Sequence, residues 1–309
     1  MSDPFIEPGQ GSQCSIGLEG SSAAFVYGSG AGGAYIANTQ TDTGSLAVQD
    51  QAVVGHDGIL FGVDTQPGMV ITQTGQIFLP EQGASAMDSY SILAGHWNDP
   101  AVRLQNNVVQ VLRVAYPFSD VVRRCYGRGR KIMPTYGLVM AGLVPFVAQF
   151  QASDNTWYED VASTITLSMV PSFTGGLAPP MTPPYQISGQ DFGRGGVLIN
   201  TGSLPTWPVF KFSGPLSFPS VAYTNTPVSV GYNGILKSSD ILVIDTRPWA
   251  RTALLNGASV AGALTGSAMI AMQLQPGSTQ VLLSGQDFTG TSQCSITWRN
   301  ATLAIGGVI

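Results

Sequence analysis

Apolar and polar residues alternate along most of the chain. In PFVAQFQASD (145–154), Phe146, Ala148, Phe150 and Ala152 fall on one side of an extended backbone, and Gln149, Gln151 and Ser153 share the other with Val147. A period of two is that of a half-buried strand. Runs of the same kind recur at 23–27, 58–63, 108–116 and 163–170, and later at 207–212, 241–245, 268–274, 280–284 and 294–298. Gly, Pro, Asn and Asp turns separate many of them, as in a sandwich or barrel. The pattern predicts a mainly β chain.

One segment departs from alternation. SAMDSYSILAGHWNDP sets Met87, Tyr90, Leu93 or Ala94, and Trp97 at helical spacing, which predicts a single helix over about 85–97. Ser85 is the expected cap, Asp88 lies near the N-terminal dipole, and Asn98-Asp99-Pro100 is the expected stop. Further on, PSFTGGLAPPMTPPYQ (171–186) holds five prolines and a Gly pair, a composition that disfavours a regular ladder. We therefore expect a β-rich N-terminal domain over 1–175, a Pro/Gly linker over 176–188 and a C-terminal β-sandwich over 189–309. The echoes SGQDF (at 188 and 284) and SQCSI (at 12 and 292) have unmatched flanks and read as recurrent turn chemistry rather than duplication.

Composition sharpens this picture in one respect. Only 10% of the 309 residues are Asp, Glu, Lys or Arg, against roughly 25% in ordinary soluble domains. These charges are also unevenly placed. Ten acids and no Lys or Arg precede Arg103, whereas 103–131 holds seven basic residues and one acid, Asp120. The segment RRCYGRGRK (123–131) reads either as a solvated basic loop or as one of two complementary faces, within a chain or between copies. Nucleic-acid recognition is disfavoured, because the cluster is short and only Tyr126 interleaves it. Cys14, Cys125 and Cys294 are too few and too scattered for a disulfide framework or zinc site, which fits assembly in a reducing cytoplasm. The start MSDPFIEPGQ lacks the basic and apolar regions of a signal peptide. The uncharged stretches 132–153 and 252–286 are broken by Gly, Pro and Asn and do not resemble spanning helices.

Candidate chemistry is sparse. Gly28, Gly30 and Gly33 satisfy GxGxxG, but AYIANTQTDTG follows, where a dinucleotide site needs a helix; a glycine hairpin is expected. His56 reads as part of a turn and His96 as a helix residue, without the clustered carboxylates a metal needs. No GxSxG elbow exists. Glu159 and Asp160 are adjacent, so on a strand they point to opposite faces and would not flank one glycosidic bond. Trp157 and Trp207 are candidates for stacking on sugars, with a core role the commoner alternative. In SSDILVIDTRPWARTALLNG (238–257), Asp245, Thr246, Arg247 and Trp249 could form a site or a corner between strands. Pro248 ending one strand, Trp249 covering an edge and Asp245 accepting turn hydrogen bonds favour the corner. No catalytic, cofactor-binding or metal-binding residue is assigned.

The ordered succession of motifs, more than any one of them, carries a resemblance. FTGGLAPPMTPPY, VLINTGSLPTWPVFKF, ILVIDTRP, the LLNG hairpin, LQPG and a closing TWRN resemble the C-terminal sandwich of distal tail proteins of long-tailed phages, especially those of actinobacterial hosts. Upstream, GRGRKIMPTYGL and FVAQFQASDNTWYED look like the end of that family's N-terminal domain, so the resemblance covers about 128–303. The first 55 residues match no motif of the family. The resemblance implies a structural protein without catalytic residues or cofactors, located at the virion tail tip and in the host cytoplasm during assembly. It implies a homohexameric ring made by a tail-tube-like N-terminal domain, with a galectin-like sandwich projecting outward. Its implied partners are the major tail tube protein and a tail-associated hub protein, with the tape measure and receptor-binding proteins as further candidates. The ring would conduct DNA, and the acid-only first 102 residues are the candidate lining of its lumen, since basic groups hold phosphate. Two alternatives stay open at this point: a carbohydrate- or receptor-binding accessory protein, and, ranked last, a cell-wall hydrolase.

Overall fold

The computed structural model describes residues 12–19, 24–79, 83–116, 121–169 and 194–305. The chain divides into two compact units, Met1–Val161 together with Ala301–Ile309, and Ala162–Asn300. The mainly β class is observed in both.

The first unit contains β1 (Gln13–Leu18), β2 (Phe25–Gly28), β3 (Ala34–Asp42), β4 (Gln51–Ala52), β5 (Ile59–Leu60), β6 (Val70–Phe78), β7 (Gln110–Ala115), β8 (Val122–Pro134), β9 (Leu143–Ala152) and β10 (Trp157–Glu159). Seven of them form one antiparallel path in the order β2-β1-β7-β8-β9-β6-β3, and β10 joins β8 and the pair Ala301–Thr302. A flat seven-strand path would be roughly 29 Å wide at the usual strand spacing. Yet the two end strands, β2 and β3, are linked by residues 29–33 alone, a reach of about 20 Å at full extension. The sheet must therefore roll until its edges approach. The link is tighter still, because Ala31 N–H bonds Gly28 O at 2.9 Å and Gly33 N–H bonds Gly30 O at 3.0 Å. Gly28 has φ 92°, and a Cβ there would lie 2.3 Å from Ser12 O. Only glycine fits.

The alternating strand β9 lies inside this sheet, with Phe146, Ala148, Phe150 and Ala152 all buried as the pattern requires. Helix α1 (Gly83–Trp97) fills the unit's core with Ala86, Tyr90, Leu93 and Trp97. Trp97 meets Tyr27 and Phe150 edge-on at 6.4 and 6.2 Å and donates to Gln149 O at 3.1 Å. The close pass of β8 beneath the helix end requires Gly129, where a Cβ would lie 2.2 Å from Trp97 O. The helix starts two residues before Ser85, so Ser85 stands inside it and is not the cap. Asn98 ends it, and Asp99 instead caps a one-turn helix α2 (Pro100–Arg103) through Ala101 N–H at 2.9 Å. Pro100 takes the first helical position, where its missing N–H costs nothing.

Past Asp42 and Val70, β3 and β6 continue as a two-stranded arm. Ala47 bridges Thr65, and β4 pairs β5 through Gln51–Leu60 and Ala52–Ile59. Residues 58–63 were expected to form a half-buried strand. They are exposed throughout, because no second layer covers the arm among the described residues.

The second unit holds β11 (Ser163–Ser168), β12 (Gly195–Asn200), β13 (Val209–Ser213), β14 (Leu216–Tyr223), β15 (Ser229–Tyr232), β16 (Ile235–Leu236), β17 (Ile241–Asp245), β18 (Thr252–Leu255), β19 (Ala258–Ser259), β20 (Leu264–Gly266), β21 (Gly277–Gln286) and β22 (Gln293–Trp298). They make two six-stranded sheets, β11-β22-β13-β17-β18-β19 and β12-β21-β14-β15-β20 with β16 beside β14. Phe210, Phe212, Ile244, Cys294 and Ile296 of one sheet share a core with Leu198, Val221, Val230, Val281 and Leu283 of the other. This is a sandwich in which inward positions alternate along each strand. Residues 268–274, expected as a strand, turn through a short 3-10 segment at Met269–Ala271 instead, and only Leu274 bridges, to Thr206.

The units divide differently from the expected 1–175, 176–188 and 189–309. β11 pairs along its whole length with β22, and Leu167 and Met169 are buried in the sandwich core. Ala301–Thr302 pairs with β10 of the first unit. Shared cores and ladders decide membership here; proline density does not. The proline-rich stretch 171–186 lies outside the described residues.

Candidate functional site

The most concentrated chemistry of the first unit is a set of buried arginines. β7 and β8 pair Arg113 with Arg124, two like charges side by side on a ladder, which would repel if left alone. Asp160, just past β10, resolves this: its Oδ1 accepts Arg113 Nε at 2.8 Å and Arg124 Nε at 2.7 Å. Arg123 reaches Glu159 at 3.2 Å, and Arg124 lies 3.7 Å from Glu19, which also accepts Tyr126 Oη at 3.2 Å. Arg113, Arg123 and Arg124 are at most 3% exposed. The segment 123–127 is thus not a solvated loop but a buried strand, and its charges meet acids of the same chain. Arg128 is likewise engaged, donating to Val108 O at 2.9 Å and to Gln105 O. Glu159 and Asp160, weighed as a carboxylate pair for hydrolysis, serve different arginines: Glu159 holds Arg123, and Asp160 holds Arg113 and Arg124.

Beside this cluster, Asp154 accepts Tyr158 Oη at 2.6 Å. Burial pushes its carboxyl up to about 6, against the opposing pull of that hydrogen bond. The cysteines are free and buried. Burial pushes the Cys14 thiol up to about 12, although Gln73 donates to its sulfur at 3.3 Å. Burial raises Cys125 and Cys294 in the same way. Such thiols are protonated at neutral pH and inert as nucleophiles.

The remaining sequence candidates fall apart in space. Gly28, Gly30 and Gly33 form the turn into β3, with no helix after them. His56 is exposed on the arm, while His96 is half-buried and stacked on Phe25 at 5.6 Å. Among the described residues no group of three or more His, Cys, Asp or Glu could hold a metal. Trp157 is fully buried, which removes it from any sugar-binding surface, and Trp207 is half-buried. No helix among the described residues is long and apolar enough to cross a membrane.

In the second unit, Asp245 ends β17 and accepts Arg247 N–H at 3.0 Å, while Arg247 Nη2 closes on it at 2.7 Å. The Arg247 guanidinium lies 5.6 Å from the centre of the Trp249 ring. Thr246 is buried and donates to Pro208 O at 2.6 Å. The corner that draws the eye in the sequence thus spends Asp245 and Arg247 on the turn between β17 and β18 and Thr246 on the segment that enters β13. A similar device closes the β21–β22 loop. Asp287 accepts from Thr289 and from the Ser292 backbone and hydroxyl at 2.6–2.9 Å. Burial pushes this carboxyl up, but these bonds outweigh it and hold it well below the usual range.

What alternation did not announce is the surface of the first unit. Val54, Ile59, Leu60, Phe61 and Val63 are exposed on the arm, and Met133, Tyr136, Leu138 and Met140 are exposed at the end of β8 and in the turn after it. The sequence signal was present only as apolar runs, which a buried strand produces equally well.

Comparison with known proteins gives these surfaces a setting. Residues 201–301 match the family described as siphovirus-type tail component, C-terminal domain. The chain has the fold of the Dit protein of phage SPP1, a hub adsorption apparatus of phages infecting Gram-positive hosts, at 13% identity and TM-score 0.52, over 93% of this chain and 98% of that one. A chain of the phage p2 baseplate in its activated conformation is similar at 12% identity and TM-score 0.52, over 93% and 97%. No curated protein sequence matches the chain. Residues 201–301 thus carry a match to the siphovirus-type tail component domain, and the fold of the chain is shared with these Dit and baseplate proteins over nearly its whole length.

Proposed function

We propose that six copies form a ring at the distal end of the tail tube, joining the tube to the tail-tip hub and conducting DNA through the lumen. The observation that carries this reading is the fold shared with a hub protein along 93% of the chain. In this reading the first unit makes the ring, and the sandwich projects outward as the galectin-like module that meets receptor-binding or other tail proteins. Catalysis has no part in it, and the engagement of Glu159 and Asp160 by arginines supports that. DNA passage needs a wall that does not grip phosphate, because each free Lys or Arg contact adds to binding by counterion release. Arg113, Arg123 and Arg124 are already neutralised inside the fold, which favours such a wall. The protein would assemble in the host cytoplasm and stay in the virion. Sedimentation and electron microscopy of the purified chain test the reading: particles of six 32.3 kDa subunits with an open centre are expected. A monodisperse monomer at high concentration would overturn it.

A further inference from the structure

The arm of the first unit has no core of its own, yet it is apolar. Phe61 and Val63 are 85% and 78% exposed, and Val54 and Leu60 are exposed beside them. Exposed large apolar side chains gathered on one short arm are the usual mark of a contact surface. The arm is also one-signed: 43–68 holds Asp50, Asp57 and Asp64 and no Lys or Arg.

A complementary surface lies elsewhere on the same unit. The second half of β8 and the following turn expose Met133, Leu138 and Met140, the last at 99%, with Arg130 and Lys131 exposed beside them. β7 pairs β8 only as far as Gly127, so among the described residues no strand takes the other edge of 131–134. An open edge is itself a template for pairing.

The turn to Met140 lies at the far end of the sheet from the arm. The arm leaves where Val70 pairs Gln151, and the turn precedes the level at which Phe78 pairs Leu143, roughly 25 Å away along β9. Lys131–Pro134 run between these levels, opposite Gln149–Phe146, so the basic residues lie nearer the arm's exit and Met140 farther from it. Both surfaces stay exposed in the single chain. Two different surfaces that complement each other between copies make a head-to-tail contact, which closes into a ring or runs on as a filament. We infer that the acidic apolar arm of one copy docks on the basic apolar face of the next, Arg130–Pro134 and the turn to Met140. This rests on the ring reading and names the surface that would build it.

Mixing separates head-to-tail docking from other contacts. An arm variant (Phe61→Ser, Val63→Ser) and a face variant (Met133→Ser, Met140→Ser) should each lose self-association while keeping the wild-type melt, since none of these side chains is in the core. Mixed together, they should form a one-to-one dimer that grows no further, because each retains one intact half. Reversing Asp57 and Asp64 to Lys, or Arg130 and Lys131 to Glu, should weaken assembly by at least about tenfold, and a chain carrying all four reversals should recover it. Sedimentation mass reads every case. If wild type forms rings and both apolar variants do so too, or the mixture stays monomeric, the docking is overturned and the ring reading stands. If wild type stays monomeric, both fall.

Discussion

Asp160 shows how much a single carboxylate can hold. One oxygen accepts from two arginines that the β7–β8 ladder places side by side. Asp160→Asn should leave two buried guanidinium groups short of their counter-charge, a loss of about 3–5 kcal/mol for a broken buried pair. Chemical denaturation would measure it; a change below about 1 kcal/mol would mean the pair is screened. Asp154 tests the opposite sign. Its folded carboxyl is raised to about 6 from an ordinary 3.8, so the folded state holds the proton more tightly than the unfolded chain. The associated stability is full below about pH 4 and lost as pH rises through 6. Asp154→Asn, whose amide oxygen can still accept Tyr158 Oη, should gain on wild type by about 2–3 kcal/mol between pH 4 and 7. A constant difference across that range would refute the assignment. Aromatic truncations should also diverge. Trp97→Ala removes a fully buried ring and should cost about 3–5 kcal/mol. Trp249→Ala mainly removes a half-exposed contact with Arg247, about 1 kcal/mol. The corner at Asp245 was readable because its partners lie within two residues. The arginine cluster was not, because its acids lie 36 and 47 positions away, and a charge run carries no mark of distant partners.

At the scale of elements, the strongest signals were the long ones. β9, α1 and β17 stand where their periods put them, since a period repeated over several residues leaves one face to bury. The arm defeated the same reasoning: alternation tells which residues share a face, not whether another layer exists to cover it. Its contribution to the fold is correspondingly small. Replacing residues 43–68 by Asn-Gly, which leaves the three-residue loop Asn-Gly-Met69 between the paired Asp42 and Val70, should change unfolding stability by less than about 1 kcal/mol, because short hairpin loops of this length are common and no core residue is lost. The calorimetric melt should be retained while self-association disappears. A collapsed melt would show that the arm supports the sheet.

For the whole molecule, the chain's division follows its ladders. Because β11 and β12 belong to one sandwich, the proline-rich stretch between them joins two parts of a single unit. A protease nick between 170 and 193 should therefore leave both pieces associated through the β11–β22 ladder, co-eluting until denatured. Likewise, a fragment spanning 162–300 should melt cooperatively, and 189–309, which lacks β11, should be less stable; equal melts would make β11 dispensable. The expected boundary rested on proline density, and a proline run interrupts a backbone ladder without saying which core the flanking strands enter.

The pairing of Trp157 with Thr302 and Tyr158 with Ala301 has a consequence for modularity. The chain leaves the first unit and returns to it on neighbouring, hydrogen-bonded strands, about 5 Å apart as strands in a sheet are. Everything in between is a cassette with adjacent ends. A different domain whose termini also lie side by side could be exchanged at 161 and 301 without cutting any ladder of the first unit, so the carried domain could change while the same rolled sheet goes on being copied.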